Sequence, residues 1–438
     1  MLALGLLLAA CTQASVPTQA PPDQQNNVDA EPPPPGPAAA PAPAVVAEPV
    51  PEQAVAALPP TEPAMAGAIL GRADAVRVGL LVPLSGSHKA EGRALLDAAQ
   101  MALFDAGDDR FTLMPADTGG NADGAASAAA RLIGSGASLL LGPLLGEEAQ
   151  AAAPVARARG INMLAFSNNP NAASEGVYLL GHMASQEVTR LINHARLNGR
   201  QRFAVLAPSD GYGRLVAGLV RESVAREGAE LGPILFYSPS PGSEEIEQVV
   251  RALAQSGPFD ALVLPDGGLR LLRVLPQLAV KEFLAPKIKL LGTGLWDDPS
   301  LHTEPALLGG WYVSAQPEGR AAFRQRFKDA YGHEPHRLAP LGYDAAALSV
   351  LLAQSASGPD FSAKALLDQR GFFGTDGIFR FSPDGTAERG LAVIEIGAAG
   401  SLQVADPAPQ RFPSAASAGS TTPQSGTDAA PPASGSGQ

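Results

Sequence analysis

The residues able to make or break bonds are few in this 438-residue chain, and their spacing does not suit catalysis. Cys11 is the single cysteine, so no internal disulfide can form, and the six histidines are scattered. The nearest thing to a metal pair is His333-Glu334-Pro335-His336, where Pro335 breaks the helix that would turn both imidazoles to one face. The segment reads as an exposed loop. Asp297 and Asp298 precede Pro299 and read as a solvated turn. There is no Gly-x-Ser-x-Gly elbow, no Gly-rich phosphate loop closing on Lys-Ser/Thr and no dinucleotide fingerprint. The expectation is a non-enzymatic protein with no catalytic residues, no metal and no cofactor, whose polar groups bind rather than react.

Such groups need elements to hold them. Arg77-Val-Gly-Leu-Leu-Val-Pro83 is a near-continuous apolar run, the pattern of a strand buried on both faces. Leu84-Ser-Gly-Ser-His88 follows as a loop, then residues 91–106 carry apolar side chains at helical spacing. Strand-loop-helix units recur with strands at 111–115, 138–142, 162–166, 202–207, 232–237, 260–264 and 287–291. The intervening helices fall at 122–134, 147–160, 186–198, 212–228, 243–256 and 269–280. This alternation specifies parallel sheets wound by right-handed crossovers. About 330 residues of ordinary globular composition exceed what one hydrophobic core usually holds, so two lobes are expected. Ligands in such sheets sit beyond the carboxyl ends of strands, here the loops starting at Leu84, Gly142, Ser167, Ser209, Pro265 and Gly292.

The flanks are different in kind. Residues 11–75 are dominated by Pro and Ala, with Pro32 to Pro35 in a row, and cannot bury enough apolar surface to offset ordering entropy. Such a tether reaches on the order of 150 Å at about 3.1 Å per residue in polyproline II. Residues 406–438, rich in Ser, Ala, Gly and Pro, read as a disordered tail. Between Thr12 and Asp74 there are seven acidic residues and one basic residue, Arg72, which accounts for six of the twelve net negative charges. The remainder is mildly acidic without a basic aromatic-laced patch, which argues against nucleic acid as a partner.

The order of the loops resembles the type I periplasmic-binding fold, as in leucine/isoleucine/valine-binding proteins. The matching residues are Leu-Leu-Val-Pro-Leu-Ser-Gly at 80–86, Asp117, Leu-Gly-Pro at 141–143, Asp210-Gly-Tyr-Gly-Arg214 and Leu-Gly-Thr-Gly-Leu-Trp at 291–296. The resemblance implies an α/β, two-lobed domain over 76–405, each lobe a parallel sheet flanked by helices, with three interlobe crossovers near Gly181, Val313 and Thr375. Lobe 1 would be about 76–181 with 316–375, and lobe 2 about 182–315 with 376–405. In amino-acid binders of this fold, hydroxyls after the third and fourth strands take the ligand carboxylate and a second-lobe Glu takes its ammonium. Here the third-strand loop opens on Gly142-Pro-Leu-Leu without a hydroxyl, the fourth offers Ser167 and then Asn168 in place of threonine, and 292–296 has no acid. Tyr212 either lines the cleft or belongs to a cap built on Ser209 and Asp210. Asp266 either faces the cleft or caps the helix from Leu269, Trp296 is a stacker or core, and Ser85 edges the cleft or turns its loop.

Two further resemblances give an address. Leu-Leu-Leu-Ala-Ala-Cys at 6–11 resembles the lipobox of bacterial lipoproteins, which implies that residues 1–10 are a signal segment and Cys11 is lipidated. Thr12 behind it, in place of Asp, implies the periplasmic face of the outer membrane. Leu-Leu-Asp-Ala-Ala-Gln-Met-Ala-Leu-Phe-Asp-Ala-Gly at 95–107, Asp117-Thr-Gly-Gly120 and Phe166-Ser-Asn-Asn169 resemble the penicillin-binding-protein activator family. That family implies an envelope lipoprotein regulating a peptidoglycan synthase, though its members carry a helical-repeat domain where this chain has the tether. The alternative is the solute-binding subunit of an ABC importer for branched-chain amino acids or amides, with a small-molecule ligand between the lobes.

Overall fold

A computed structural model describes residues 75–412; Cys11, the signal segment, the Pro/Ala tether and most of the tail lie outside the described residues. The first sheet grows from β1 (Val76–Val82), which pairs in parallel with β2 (Phe111–Asp117) on one side and β3 (Leu139–Leu141) on the other. β4 (Met163–Ala165) and β5 (Val177–Leu179) extend it, giving the order β2-β1-β3-β4-β5. Because side chains alternate along a strand, β1 feeds two cores. Val78, Leu80 and Val82 pack with Leu95 and Leu96 of helix α1 (Lys89–Ala106). Leu81 faces the other way, toward the Ala-rich sides of α2 (Ala122–Gly134) and α3 (Gly146–Arg157). Each fully buried leucine contributes about 1.5–3 kcal/mol relative to exposure.

The second sheet has the order β15-β14-β10-β9-β8-β6-β7. Strands β6 (Arg202–Pro208), β7 (Glu230–Tyr237), β8 (Ala261–Leu264), β9 (Lys289–Gly292) and β10 (Trp311–Ser314) run parallel. β14 (Ala392–Ile396) and β15 (Leu402–Asp406) add an antiparallel edge. Phe203, Val205 and Ala207 of β6 pack against α4 (Ala184–Leu197) and α5 (Gly211–Arg226). Ala204 and Leu206 face α6 (Ser243–Gln255) and α7 (Gly268–Val280). These two sandwiches are the two lobes expected from the alternation of elements.

The chain passes between lobes at Gly181 and again after Ser314, where it enters α8 (Pro317–Tyr331), whose Phe323 and Phe327 pack with Ala94 and Ala98 of α1. The third crossover corrects the sequence expectation. It lies at Gly390 rather than near Thr375, because β11 (Phe372–Gly374), β12 (Gly377–Phe381) and β13 (Ala387–Arg389) form an antiparallel sheet that stays with the first lobe. Phe379, Phe381 and Ala387 belong to the first core, the Phe381 ring sits 5.4 Å from that of Tyr178, and the Leu179 N–H donates to the Gly385 carbonyl at 2.7 Å. Aromatic burial, not sequence position, assigns residues 376–389 to lobe 1.

Helix α9 (Ala339–Ala353) packs against α1, with Gly342 at the contact. A Cβ there would stand 2.3 Å from the Leu95 carbonyl oxygen, so only glycine allows this approach. Gly342→Val is therefore expected to destabilise the domain by about 1–3 kcal/mol through overpacking, seen as a lower urea midpoint with an unchanged slope. An unchanged midpoint would show that the helix pair yields without cost.

Candidate functional site

The acids in the strand-end loops of both lobes are spent on the loops themselves. Asp117, at the end of β2, accepts the Leu84 and Gly119 N–H groups at 2.8 Å and that of Ser85 at 3.3 Å. Ser85 is thus an exposed turn residue fixed from across the sheet. Gly142 has φ +83°, and a Cβ would lie 2.0 Å from the Leu81 carbonyl oxygen. It is a backbone corner, followed by Leu144, which is buried in the first core. Ser167 is buried and its Oγ accepts the Asn169 N–H at 3.1 Å, while Asn168 is exposed beside it.

In the second lobe Asp210 caps α5 by accepting the Gly213 N–H at 2.8 Å. Tyr212 reaches out of the same turn and donates its hydroxyl to Thr293 Oγ1 at 3.0 Å, joining the β6 loop to the β9 loop. Burial pushes its phenol up from the ordinary value. Asp266 is buried and saturated: it accepts the Tyr237 hydroxyl at 2.5 Å, the Gly267 N–H at 2.8 Å and Arg270 Nε at 2.8 Å. The cap residue of α7 is Gly267, so the side chain of Asp266 is an ion-pair hub rather than a helix cap. Trp296 is fully buried in the second core, so the expectation that it could stack on a ligand is corrected: its indole fills the space above Gly292.

A cavity of about 830 Å³ opens between these second-lobe loops and the first-lobe segment that includes α8 and the loop before α9. Its walls include Asp266, Arg270, Gly294, Asp297, Arg320 and Arg337. Of the residues singled out from sequence, Asp266 lines it; Ser85, Gly142, Ser167, Asn168, Tyr212 and Trp296 do not. Arg320 of α8 is the bridge across the cavity wall. Its Nε and Nη2 hold Asp376 at 3.0 and 3.2 Å, and it also pairs with Asp297 of the second lobe, which accepts the Ser314 hydroxyl at 2.8 Å. His182, at the first crossover, adds its Nε2 to Asp376 at 3.0 Å. Burial alone would push the Asp376 carboxyl up, but Arg320 and His182 hold it well below the usual range. Burial pushes the His182 imidazole down.

Sequence reasoning also passed over Glu187, in the first turn of α4. It is 7% exposed and its Oε2 accepts the Gly294 N–H at 2.9 Å. Burial pushes its carboxyl up to about 7, against the pull of the Gly294 N–H and the guanidinium groups of Arg337 and Arg320. A signal existed, since an acid on the face of a helix that also carries Val188, Leu191 and Ile192 must be buried with them. His333 and His336 lie on the loop before α9, and among the described residues no group of histidines, cysteines or acids could hold a metal ion.

With two wound lobes, three crossovers and second-lobe strand-end loops facing an interlobe cavity, the fold is that of a type I binding protein. The chain belongs to the periplasmic binding protein family, whose model matches residues 75–401. An uncharacterized protein of Rickettsia prowazekii (strain Madrid E) is 23% identical over 181 residues, which is 41% of this chain and 48% of that protein. The chain therefore spans about half the length of that curated relative. Among solved structures, a Rhodospirillum rubrum protein described as a branched-chain amino acid ABC transporter superposes with a TM-score of 0.66 at 20% identity, covering 75% of this chain and 99% of the other. An ABC transporter substrate-binding protein from Sphaerobacter thermophilus gives 0.63 at 20% identity, covering 77% and 98%. A solute-binding protein from Rhodopseudomonas palustris BisB5, in complex with 3,4-dihydroxybenzoic acid, gives 0.60 at 19% identity, covering 77% and 97%.

The raised carboxyl of Glu187 makes stability depend on pH. Its folded value of about 7 lies above the ordinary 4.5, so the folded state binds more protons between those values and the stability contribution is lost as pH rises through that window. Glu187→Gln is expected to gain on the native protein by about 2–3 kcal/mol as pH goes from 4.5 to 8 in urea titrations. A difference that stays flat with pH would show an ordinary, solvated carboxyl.

Proposed function

We propose that this chain is a non-enzymatic binding protein of the cell envelope that captures a small organic solute bearing a carboxylate between its lobes, as the solute-binding subunit of an ABC importer does. The observation that carries this reading is the state of the arginines on the cavity wall. Arg270 is tied to Asp266, Arg320 to Asp376 and Asp297, and Arg324 to Glu334. Arg337 is exposed on the same wall and makes no hydrogen bond or ion pair among the described residues. A guanidinium left open in a concave site is suited to bidentate capture of a carboxylate. The first-lobe loops, with Pro143, Leu144 and Leu145 where hydroxyls would cradle a carboxylate, leave that task to Arg337.

A second reading is regulation of a peptidoglycan synthase by a lipoprotein anchored through Cys11 at the outer membrane. The motifs at 95–107, 117–120 and 166–169 favour it.

One set of measurements separates the two. A thermal-shift screen of amino acids, amides, aromatic acids and muropeptides is expected to give a hit worth about 2.7 kcal/mol of stability at a hundredfold excess over Kd. Arg337→Ala should weaken that hit at least tenfold. A blank screen together with stimulated glycan polymerisation, when the purified protein is added to a synthase, would replace the first reading with the second.

A further inference from the structure

A second cavity, of about 540 Å³, opens on the first lobe at the ends of the strands where the chain enters them. Its walls include Arg157, Asn162, Ser174 and Glu175, from the segments leading into β4 and β5, Tyr178 of β5, and Asp384 from the turn between β12 and β13. It shares no residue with the interlobe cavity, and its size falls within the roughly 300–1,000 Å³ of small-molecule sites. Tyr178 marks it out. The residue is 6% exposed and its ring packs on Phe381, yet its hydroxyl has no hydrogen-bond partner among the described residues. Trp296 makes an instructive contrast, since its indole N–H is also unpartnered but is sealed in the second core. The Tyr178 hydroxyl is unpartnered without being sealed, and the cavity that Tyr178 lines is its outlet. A hydroxyl taken this far out of water costs free energy that a ligand would return.

The other polar groups on these walls are only partly used. Arg157 donates Nη2 to the Ser174 hydroxyl at 3.1 Å and Nε to the Glu175 carbonyl at 3.4 Å, and pairs with no carboxylate among the described residues. Asn162 spends its amide N–H on the Phe361 carbonyl at 2.7 Å and leaves its Oδ1 free. Asp384 accepts the Thr386 N–H and hydroxyl on Oδ1 at 2.9 and 2.8 Å, which leaves Oδ2. Burial pushes the Tyr178 phenol up, so it stays a donor at neutral pH. The set is mixed: guanidinium, phenol and serine hydroxyl donate, Asn162 Oδ1 and two carboxylates accept, and neither sign of charge dominates. Ile161 and Pro383 add apolar surface to the same walls. Neighbouring hydroxyls on a ring, each of which both donates and accepts, would use such a set in full.

We propose that this cavity is a second ligand site, for an uncharged sugar ring, with Tyr178, Arg157, Asn162 and Asp384 on its hydroxyls and Ile161 and Pro383 against its C–H face. The proposal goes beyond solute capture and does not depend on what the interlobe cavity holds. Every wall belongs to the first lobe, where the Leu179 N–H donates to the Gly385 carbonyl at 2.7 Å and fixes the β12–β13 turn to β5. Movement of one lobe against the other therefore leaves the site intact. The same chemistry is offered by a free sugar and by the glycan of an envelope, and the two differ in how many rings are joined.

The test measures binding of methyl β-glucoside, N-acetylglucosamine and chitotriose to the purified chain by saturation-transfer NMR and calorimetry, with acetate and inorganic phosphate as anion probes. Sugar binding that falls roughly three- to tenfold in Tyr178→Phe and in Arg157→Ala, with the anions left unbound, is the result expected. Chitotriose binding more tightly per ring than N-acetylglucosamine supports the site with a glycan as its source, and equal affinity per ring supports it with a free sugar. Tyr178→Phe is expected to melt no lower than the native chain in circular dichroism, because the hydroxyl it removes has no partner inside the protein; a lower melting temperature would reveal such a partner and overturn the proposal. Binding of acetate or phosphate in place of the sugars would overturn it as well. Sugar binding that survives both variants would also overturn it, and its loss in Arg337→Ala would place the sugar between the lobes instead. No binding of any sugar, with native and variant proteins folded, would overturn the second site and leave solute capture standing.

Discussion

One guanidinium sets how the two lobes meet. Arg320 leaves the first lobe on α8, grips Asp376 with two nitrogens and pairs with Asp297 of the second lobe by a third. Two carboxylates and one cation, all largely removed from water, form an arrangement that is stable only while every member is present. The neutral form of His182, favoured by burial, supplies a further donor to Asp376 without adding charge. Behind it, Asp344 accepts the Thr375 N–H and hydroxyl at 2.7 and 2.9 Å, and Arg389 donates to the Leu180 carbonyl at 2.7 Å. The segments at the hinge are thus fixed relative to one another by directional polar bonds, where the lobes themselves are held by apolar packing. Polar bonds of this kind specify geometry more than they add stability, because desolvation cancels much of their attraction.

The same economy governs the strand-end loops. Asp117, Asp210 and Asp266 sit where a binding protein would place ligand contacts, and each is consumed by backbone N–H groups, a tyrosine hydroxyl or an arginine. A carboxylate that accepts several donors is a strut with little left to offer a ligand. The open guanidinium on the cavity wall, Arg337, comes instead from a segment that does not end a strand, the loop between α8 and α9.

That displacement explains what the sequence disclosed and what it withheld. Long apolar runs such as 77–83 and 202–207 became β1 and β6, and helices with a clean apolar face fell within one to three residues of their expected bounds, because periodicity reports local burial directly. The three-residue strand at Val177–Leu179 and the hairpin at 372–389 escaped notice, being too short to carry a period and held by pairing with distant segments. Lobe membership of that hairpin depended on Phe379 and Phe381 finding Tyr178, a long-range fact. Trp296 illustrates the complementary failure, since nothing local distinguishes an indole facing a cleft from one roofing Gly292. The site residues named from sequence were those of the loops; whether a loop side chain is free or already spent is decided by partners as remote as Thr293 for Tyr212 and Tyr237 for Asp266.

Charge accounting around the cavity then separates frame from function. Arg270, Arg320 and Arg324 each have a carboxylate within reach, and Asp266, Asp297 and Glu334 are those carboxylates. Arg337, exposed on the same wall, is paired with none of them. It acts on the buried carboxyl of Glu187 through charge without forming an ion pair with it. A guanidinium kept free of the carboxylates around it, on a wall whose other arginines are all paired, is the group on which the solute-capture reading rests.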